Sequence, residues 1–318
     1  MITYIIRRLI INIPVLFGIT LVIFFMINLM PGDPAAYFIN PDLATNPDEM
    51  AIVRARLGLD QPIIVRYFKW LGQTLQGDLG YRIKNHDHVL TIIWQRLLNT
   101  MILVGIAISV GATLGILLGV VSAIYHYSFW DYAFTGLSFV GISMPAFVTG
   151  ILGLFLFSLK LPLFPAGGMS TVGQENTVLD TLYHAALPAL LLSFGHLASF
   201  MRYTRFSMLE VMHQEYVTTA RAKGLIEPRV IRVHALRNAL LPVVTVIGLS
   251  LPAMVVGAVF IETIFSWPGM GTLYLDAVQS RDYPLIMGMN LVTSIVILLT
   301  NLITDVAYAF VDPRIRMH

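Results

Sequence analysis

The chain has 318 residues, 57% of them hydrophobic and 12% charged, with a mean hydropathy of +0.76 and a formal net charge of +2. Soluble domains carry roughly 25% charge, so water is not the main solvent of this chain, and basic residues gathered at loops and ends argue against nucleic acid as a partner. The absence of cysteine excludes disulfides, thiolate zinc sites, iron–sulfur clusters and cysteine nucleophiles.

A helix rising 1.5 Å per residue needs about 20 apolar residues to cross about 30 Å of hydrocarbon. Six charge-free runs of that kind predict membrane spans: Leu9–Met30, Met101–Tyr125, Tyr132–Leu159, Thr181–Met201, Leu240–Ile261 and Tyr283–Thr304. The first follows Arg7 and Arg8 as a signal peptide would, but it is too long and lacks a small-residue cleavage site, which makes it a retained helix. His184, Pro188 and His196 interrupt the fourth, and a proline is tolerated there when neighbours satisfy the freed backbone groups. Arg7, Arg8, Arg314 and Arg316 predict cytoplasmic termini. Arg202, Arg205, Arg221, Lys223, Arg229, Arg232 and Arg237 place the 202–241 segment on the same side. The turn from Tyr125 to Asp131, expected there too, carries no Lys or Arg.

Two segments lie between spans. Pro31–Asn99 is too long for a simple connection and predicts a small helical cap outside the membrane. Asn46, Pro47, Asp48, Glu49 and Gly58 punctuate one helix. Pro62 opens a second, with Ile64, Phe68, Leu71 and Leu75 as its apolar face and Gly77 as its stop. Such a cap either rests on the bundle or receives an outside partner. The cytoplasmic stretch from Arg202 to Leu241 predicts helix, turn, helix, broken by Gly224 and Pro228. Tyr216, Ala220 and Lys223 share a face by helical spacing, with Ala222 and Gly224 nearby. That predicts a small-residue knob flanked by Arg221 and Lys223, which either enters a groove on another protein or lies on anionic lipid head groups.

In this segment, Thr219-Ala220-Arg221-Ala222-Lys223-Gly224 followed by Arg237-Asn238-Ala239-Leu240-Leu241-Pro242 resembles the signature loop of permease subunits of ATP-binding cassette importers, in the dipeptide, oligopeptide and nickel family. The general pattern has Glu-Ala-Ala before the glycine. Here Thr218 and Thr219 take the first two places, and only Ala220 and Gly224 match. Further matches follow the family's order: Met30-Pro31-Gly32-Asp33-Pro34, Leu57-Gly58-Leu59-Asp60-Gln61-Pro62, Gly77-Asp78-Leu79-Gly80, Ser266-Trp267-Pro268-Gly269-Met270-Gly271, Arg281-Asp282-Tyr283-Pro284 and Asp312-Pro313-Arg314-Ile315-Arg316. The resemblance implies an all-α integral membrane protein of six transmembrane helices with the type I importer permease fold and a helical extracytoplasmic segment after the first helix. Its divisions would be 1–98, holding the first span and the cap; 99–311, holding a five-helix core with the coupling loop 202–241; and a cytoplasmic tail, 312–318.

The same resemblance implies a bacterial or archaeal cytoplasmic membrane and four partners: a homologous second permease, two cytoplasmic ATPases and an extracytoplasmic solute-binding protein. ATP and Mg would be bound by the ATPases and no cofactor by this chain, which has no phosphate-loop motif. Tyr216, Thr219, Ala220, Arg221, Ala222, Lys223 and Gly224 would contact the ATPase. Peptides lead as substrate, with nickel or metal chelates and glutathione-like solutes as alternatives. A secondary transporter, the rival of another class, would typically show internal repeats and a functional mid-membrane charge, and neither is evident.

Polar residues inside spans cost free energy unless partnered. Asn28, Asn99, Ser109, Ser143, Asn290 and Asn301 are expected to bond neighbouring helices. Glu262, near a span end, is expected to have a structural role or to meet a peptide amine or Arg281, and Asp305 to meet Arg314 or Arg316. His184, His196, His213 and His234 lack close ligand spacing with a supporting carboxylate, so no protein-bound metal is expected.

Overall fold

A computed structural model describes residues 2–29, 51–52, 54–55, 59–173 and 177–311, with the side chains of 2–4, 253–257 and 307–311 excepted. Most of the helix expected from Asn46 to Gly58, the Met30–Pro34 motif, and Arg314 and Arg316 lie outside these residues. Among the described residues the chain is helical: α1 (Ile2–Asn28), α2 (Ile63–Leu75), α3 (Val89–Ile124), α4 (Phe129–Ser143), α5 (Ala146–Gly153), α6 (Val178–Met212), α7 (Glu215–Ala222), α8 (Arg237–Ile264), α9 (Met270–Gln279) and α10 (Tyr283–Val311). Among the described residues five helices are long and apolar enough to span a membrane, and α4 with the helix after it makes a sixth when the bent pair is counted as one span.

That sixth span departs from the continuous run expected over Tyr132–Leu159. The segments Phe129–Ser143 and Ala146–Lys160 meet at a bend of 106°. Pro145 is the cause. It has no N–H to give α4, and its ring forces the preceding residue out of the helical region, so Met144 sits at φ −84°, ψ 125°. Beyond α5 the chain winds as a π-helix from Leu154 to Lys160.

The chain divides into two compact units, residues 2–97 with 273–298, and 98–272 with 299–318. In the first unit, Tyr67 of α2 is buried edge-on against Phe17 and Phe24 of α1, at ring separations of 5.8 and 5.4 Å, and its hydroxyl meets that of Thr20 at 3.0 Å. Asn28 donates to the Phe24 carbonyl and accepts from Arg66 at 2.5 Å. The apolar face expected from spacing is therefore not the side that packs on α1: Ile64, Phe68 and Leu75 are 60%, 58% and 80% exposed. An aromatic ring with a hydroxyl to satisfy wins the contact over aliphatic side chains one helical step away. After Gly77, which ends the helix at φ +85°, Arg82 is buried in an ion pair with Asp276 and stands 3.4 Å from Asp282, a wholly buried carboxylate that also accepts from the Ile83 N–H.

The second unit is organised by close packing of α3 on α6. Gly111, Gly115 and Gly119 recur every four residues, which lines them up on one side of α3. A Cβ at Gly115 would stand 2.8 Å from that of Phe200, and one at Gly119 would stand 2.6 Å from the Met201 carbonyl. Nearby, Leu103, Ala107, Leu187, Ile261, Phe265 and Trp267 share a buried core. Glu262, fully buried in α8, accepts from the Thr100 hydroxyl at 2.5 Å and from the Gly271 N–H at 2.7 Å, so its carboxylate caps the positive end of α9. A Cβ at Gly269 would overlap that carboxylate, which is why a glycine stands there. Asn99 crosses to the same loop, donating to the Pro268 carbonyl while its own carbonyl takes the Trp267 indole N–H. Ser109 and Asn290 instead bond carbonyls one turn back on their own helices.

Candidate functional site

The segment between α6 and α8 is a helical hairpin. After Met212, His213 caps the helix at φ −92° and ψ −1°, Gln214 is extended at φ −72° and ψ 148°, and α7 starts afresh. Gly224 takes φ +78°, a left-handed conformation open to glycine without penalty, and its N–H returns to the Arg221 carbonyl. Ile226 is extended, Pro228 lies in a single helical turn from Glu227 to Arg229, and a π-helix from Val230 to Leu236 carries the chain into α8.

Three contacts fix its shape. Val217, Ala220 and Val230 are buried together, with Val211 and Leu225 packed on them. Arg221 pairs with Glu227 across the Gly224 turn at 2.7 Å and also reaches the Met212 carbonyl. That bond to Glu227 holds the Arg221 guanidinium above its usual value. Tyr216 accepts from the Asn238 amide at 2.9 Å, which ties α7 to the first turn of α8.

Six of the seven residues singled out from sequence lie on the exposed side of this hairpin: Tyr216, Thr219, Arg221, Ala222, Lys223 and Gly224. Ala220 does not, being only 5% exposed and turned against Val217 and Val230. The expected exposed knob is thus built by Thr219, Ala222, Lys223 and Gly224, and Ala220 is the small residue that lets α7 close on the returning chain. Helical spacing puts Ala220 beside Tyr216, but spacing alone does not say which side of a short helix the rest of the chain covers.

Sequence reasoning missed the anchor beneath the hairpin. Asp131, at the start of α4, is almost fully buried and accepts two hydrogen bonds from Arg205 of α6, together with one from the Tyr127 N–H and one from Ser122 of α3. The sequence signal was the turn from Tyr125 to Asp131 with no Lys or Arg, since its one acid needed a counter-charge from elsewhere. Of the histidines, His184 is buried beside the Gly167 carbonyl and Thr171, and His213 meets the Leu209 carbonyl at 2.6 Å.

The family described as binding-protein-dependent transport system inner membrane component matches residues 115–317, and the N-terminal part described for the same membrane components matches residues 1–104. The chain belongs to this family. As an inner-membrane component it is 46% identical to a chain of Brucella suis biovar 1 named as a peptide permease, over 100% of both chains. It is 42% identical to the oligopeptide transport system permease protein AppB of Bacillus subtilis, over 99% of this chain and 100% of that one. With the dipeptide transport system permease protein DppB of Escherichia coli K12 it shares 39% identity over 99% of both. Among solved structures, the methionine ABC transporter MetNI in an inward-facing form gives a TM-score of 0.57 at 14% identity, over 70% of this chain and 97% of that one, which shows a shared fold. The inner-membrane component is therefore a multi-pass membrane permease of the importer type.

Proposed function

We propose that this permease forms half of the translocation path of an ATP-binding cassette importer for dipeptides and oligopeptides. The observation that carries it is similarity along essentially the whole chain to proteins named as peptide, oligopeptide and dipeptide permeases. The other half is a homologous permease, two cytoplasmic ATPases hold ATP and Mg, and an extracytoplasmic binding protein delivers the solute. The chain itself holds no cofactor. Both termini and the hairpin face the cytoplasm of a bacterial or archaeal cell, as the excess of Arg and Lys at 202–237 supports.

The hairpin is the ATPase contact. Thr219, Ala222, Lys223 and Gly224 present a low, small-residue surface with one positive charge, over which a groove of another protein closes without steric conflict. Arg221 and Tyr216 act on the hairpin itself, the first through Glu227 and the second through Asn238. A push on this surface reaches α6 and α8 together, because the hairpin is the connection between them. Two membrane helices moved in concert are what a bistable bundle needs to open to one side at a time.

The test is to isolate the chain through its own tag in mild detergent, co-expressed with candidate neighbours, and to identify what is retained by mass spectrometry. A second permease and ATPases are expected, with the ATPases lost from Gly224→Arg. A chain that retains no ATPase when all candidates are present would contradict the proposal.

A further inference from the structure

The α2 helix carries an apolar face on which Ile64, Phe68 and Leu75 stay exposed among the described residues of its unit. At 100° per residue, Ile64, Phe68, Leu71 and Leu75 fall within an arc of about 60°. Tyr67 and Trp70, the residues that pack on α1, lie to one side of that arc, while Arg66, Lys69 and Gln73 lie opposite it. The helix therefore has three sides, one for α1, one apolar and exposed, and one polar.

Its depth follows from the contacts with α1. Tyr67 is packed among Phe17, Thr20 and Phe24, and Trp70 lies against Phe24. All of these α1 residues lie within the apolar run Ile5–Asn28. Thr20 precedes Asn28, the end of that run, by eight residues, or about 12 Å of helix. The middle of α2 is thus level with hydrocarbon, not with water beyond the membrane. Arg66 runs back to Asn28 at the end of the span, as a basic side chain does when its helix lies below the head groups. At the same depth α1 itself is apolar and exposed on its side away from α2, where Val22 and Met26 are 55% and 65% exposed.

We propose that α2 is an interfacial membrane helix, set at the boundary of head groups and acyl chains in the leaflet reached by the C-terminal end of α1. Ile64, Phe68 and Leu75 enter the acyl layer, and Lys69 faces lipid phosphate. Lipid is the occupant because a soluble protein docking on this face would have to enter the depth at which α1 itself meets hydrocarbon. The segment expected to cap the bundle from outside is, in this part, a membrane element. The inference does not depend on the hairpin's partner.

The absence of cysteine makes the test direct. Single variants Phe68→Cys and Leu75→Cys on the apolar face, and Lys69→Cys and Gln73→Cys on the polar face, carry a nitroxide label in the full-length chain. The chain is reconstituted with whatever subunits co-purify, in vesicles of phosphatidylethanolamine and phosphatidylglycerol. Collision with oxygen should exceed collision with a water-soluble nickel chelate at 68 and 75, with the order reversed at 69 and 73. Ile64→Cys replaces either apolar-face variant if that variant does not insert. Ready access of the chelate to 68 and 75 would overturn the proposal, as would shielding there that arises only on addition of the solute-binding protein, which would make the face a protein dock.

Discussion

Asp131 and Arg205 stand 74 positions apart in sequence and meet through two parallel hydrogen bonds, Nε to Oδ1 at 2.6 Å and Nη2 to Oδ2 at 2.9 Å. Because Ser122 joins the same carboxylate, α3, α4 and α6 are bound at one point, about two turns before α6 enters the hairpin. Replacing Arg205 by Met leaves the buried carboxylate without its counter-charge and should cost about 3 kcal/mol, the lower end for a broken buried pair because Arg205 is partly exposed. Asp131→Asn, which removes the charge that needs pairing, should cost less. Thermal aggregation midpoints of the detergent-solubilised variants give the order; equal midpoints would mean that the pair contributes nothing net.

The glycine ridge of α3 makes a sharper comparison, since two glycines of one helix differ in what surrounds them. Gly119→Ala puts a methyl into the backbone of α6 and should cost about 1–3 kcal/mol, as overpacking does. A Cβ at Gly105 meets nothing within 4 Å, so Gly105→Ala should be neutral or slightly stabilising through its gain in helix propensity. The same melting measurement on both variants decides it.

Glu262, two residues before the end of α8, shows how a buried acid can be structural. In Glu262→Ala, the Thr100 hydroxyl and the first N–H groups of α9 lose their acceptor in a buried place, at about 1–3 kcal/mol for each unsatisfied group. Glu262→Gln keeps one carbonyl acceptor and should recover part of the loss. Protease sensitivity at the α8–α9 connection should rise in the alanine variant and much less in the glutamine one.

The Arg82 site has a pH signature. Burial pushes the Asp282 carboxyl above its ordinary value, although hydrogen bonds from the Leu285 and Ile83 N–H groups and the charge of Arg82 oppose the shift. In Arg82→Met that charge is gone, and the variant should be less stable than the parent by about 3 kcal/mol at neutral pH. The deficit should shrink as pH falls through the raised value of Asp282, because the folded state then takes up a proton before the unfolded one does. Asp276 adds to the narrowing: despite burial, its bonds from Lys84 and Arg82 hold it low, so in the parent its stabilisation is lost as pH falls. A deficit that widens on acidification would contradict this account of the pair.

Much of the architecture was legible because hydrocarbon imposes a length and a charge rule that sequence displays directly. Five of the six expected spans overlap single long helices. The sixth was misjudged because apolarity was read without backbone chemistry, and Met144-Pro145 in the middle of the run was the available warning. The π-helical segments at Leu154–Lys160 and Val230–Leu236 have no comparable sequence mark. Within the hairpin, Gly224 and Pro228 located the turn, since both have a conformational reason to be there. The inward direction of Ala220 was not legible, because it depends on Val230, ten residues on and beyond a turn of unknown angle. Asp131 and Arg205 were hidden for the same reason, being joined only by tertiary packing.

The central claim is that the exposed side of the hairpin couples nucleotide hydrolysis to movement of peptide through this chain. The most direct measurement is ATP-dependent accumulation of a labelled dipeptide by vesicles containing the purified complex, comparing the parent with Gly224→Arg and with Glu227→Gln. Gly224→Arg should abolish accumulation while the chain still inserts, because a side chain at φ +78° distorts the turn and its bulk lifts the contact surface. Glu227→Gln, which weakens an exposed ion pair worth about 0–1 kcal/mol, should insert normally and lose only part of the activity. Undiminished ATP-dependent uptake by Gly224→Arg would contradict the coupling role, and uptake by the chain with no ATPase present would contradict the importer itself.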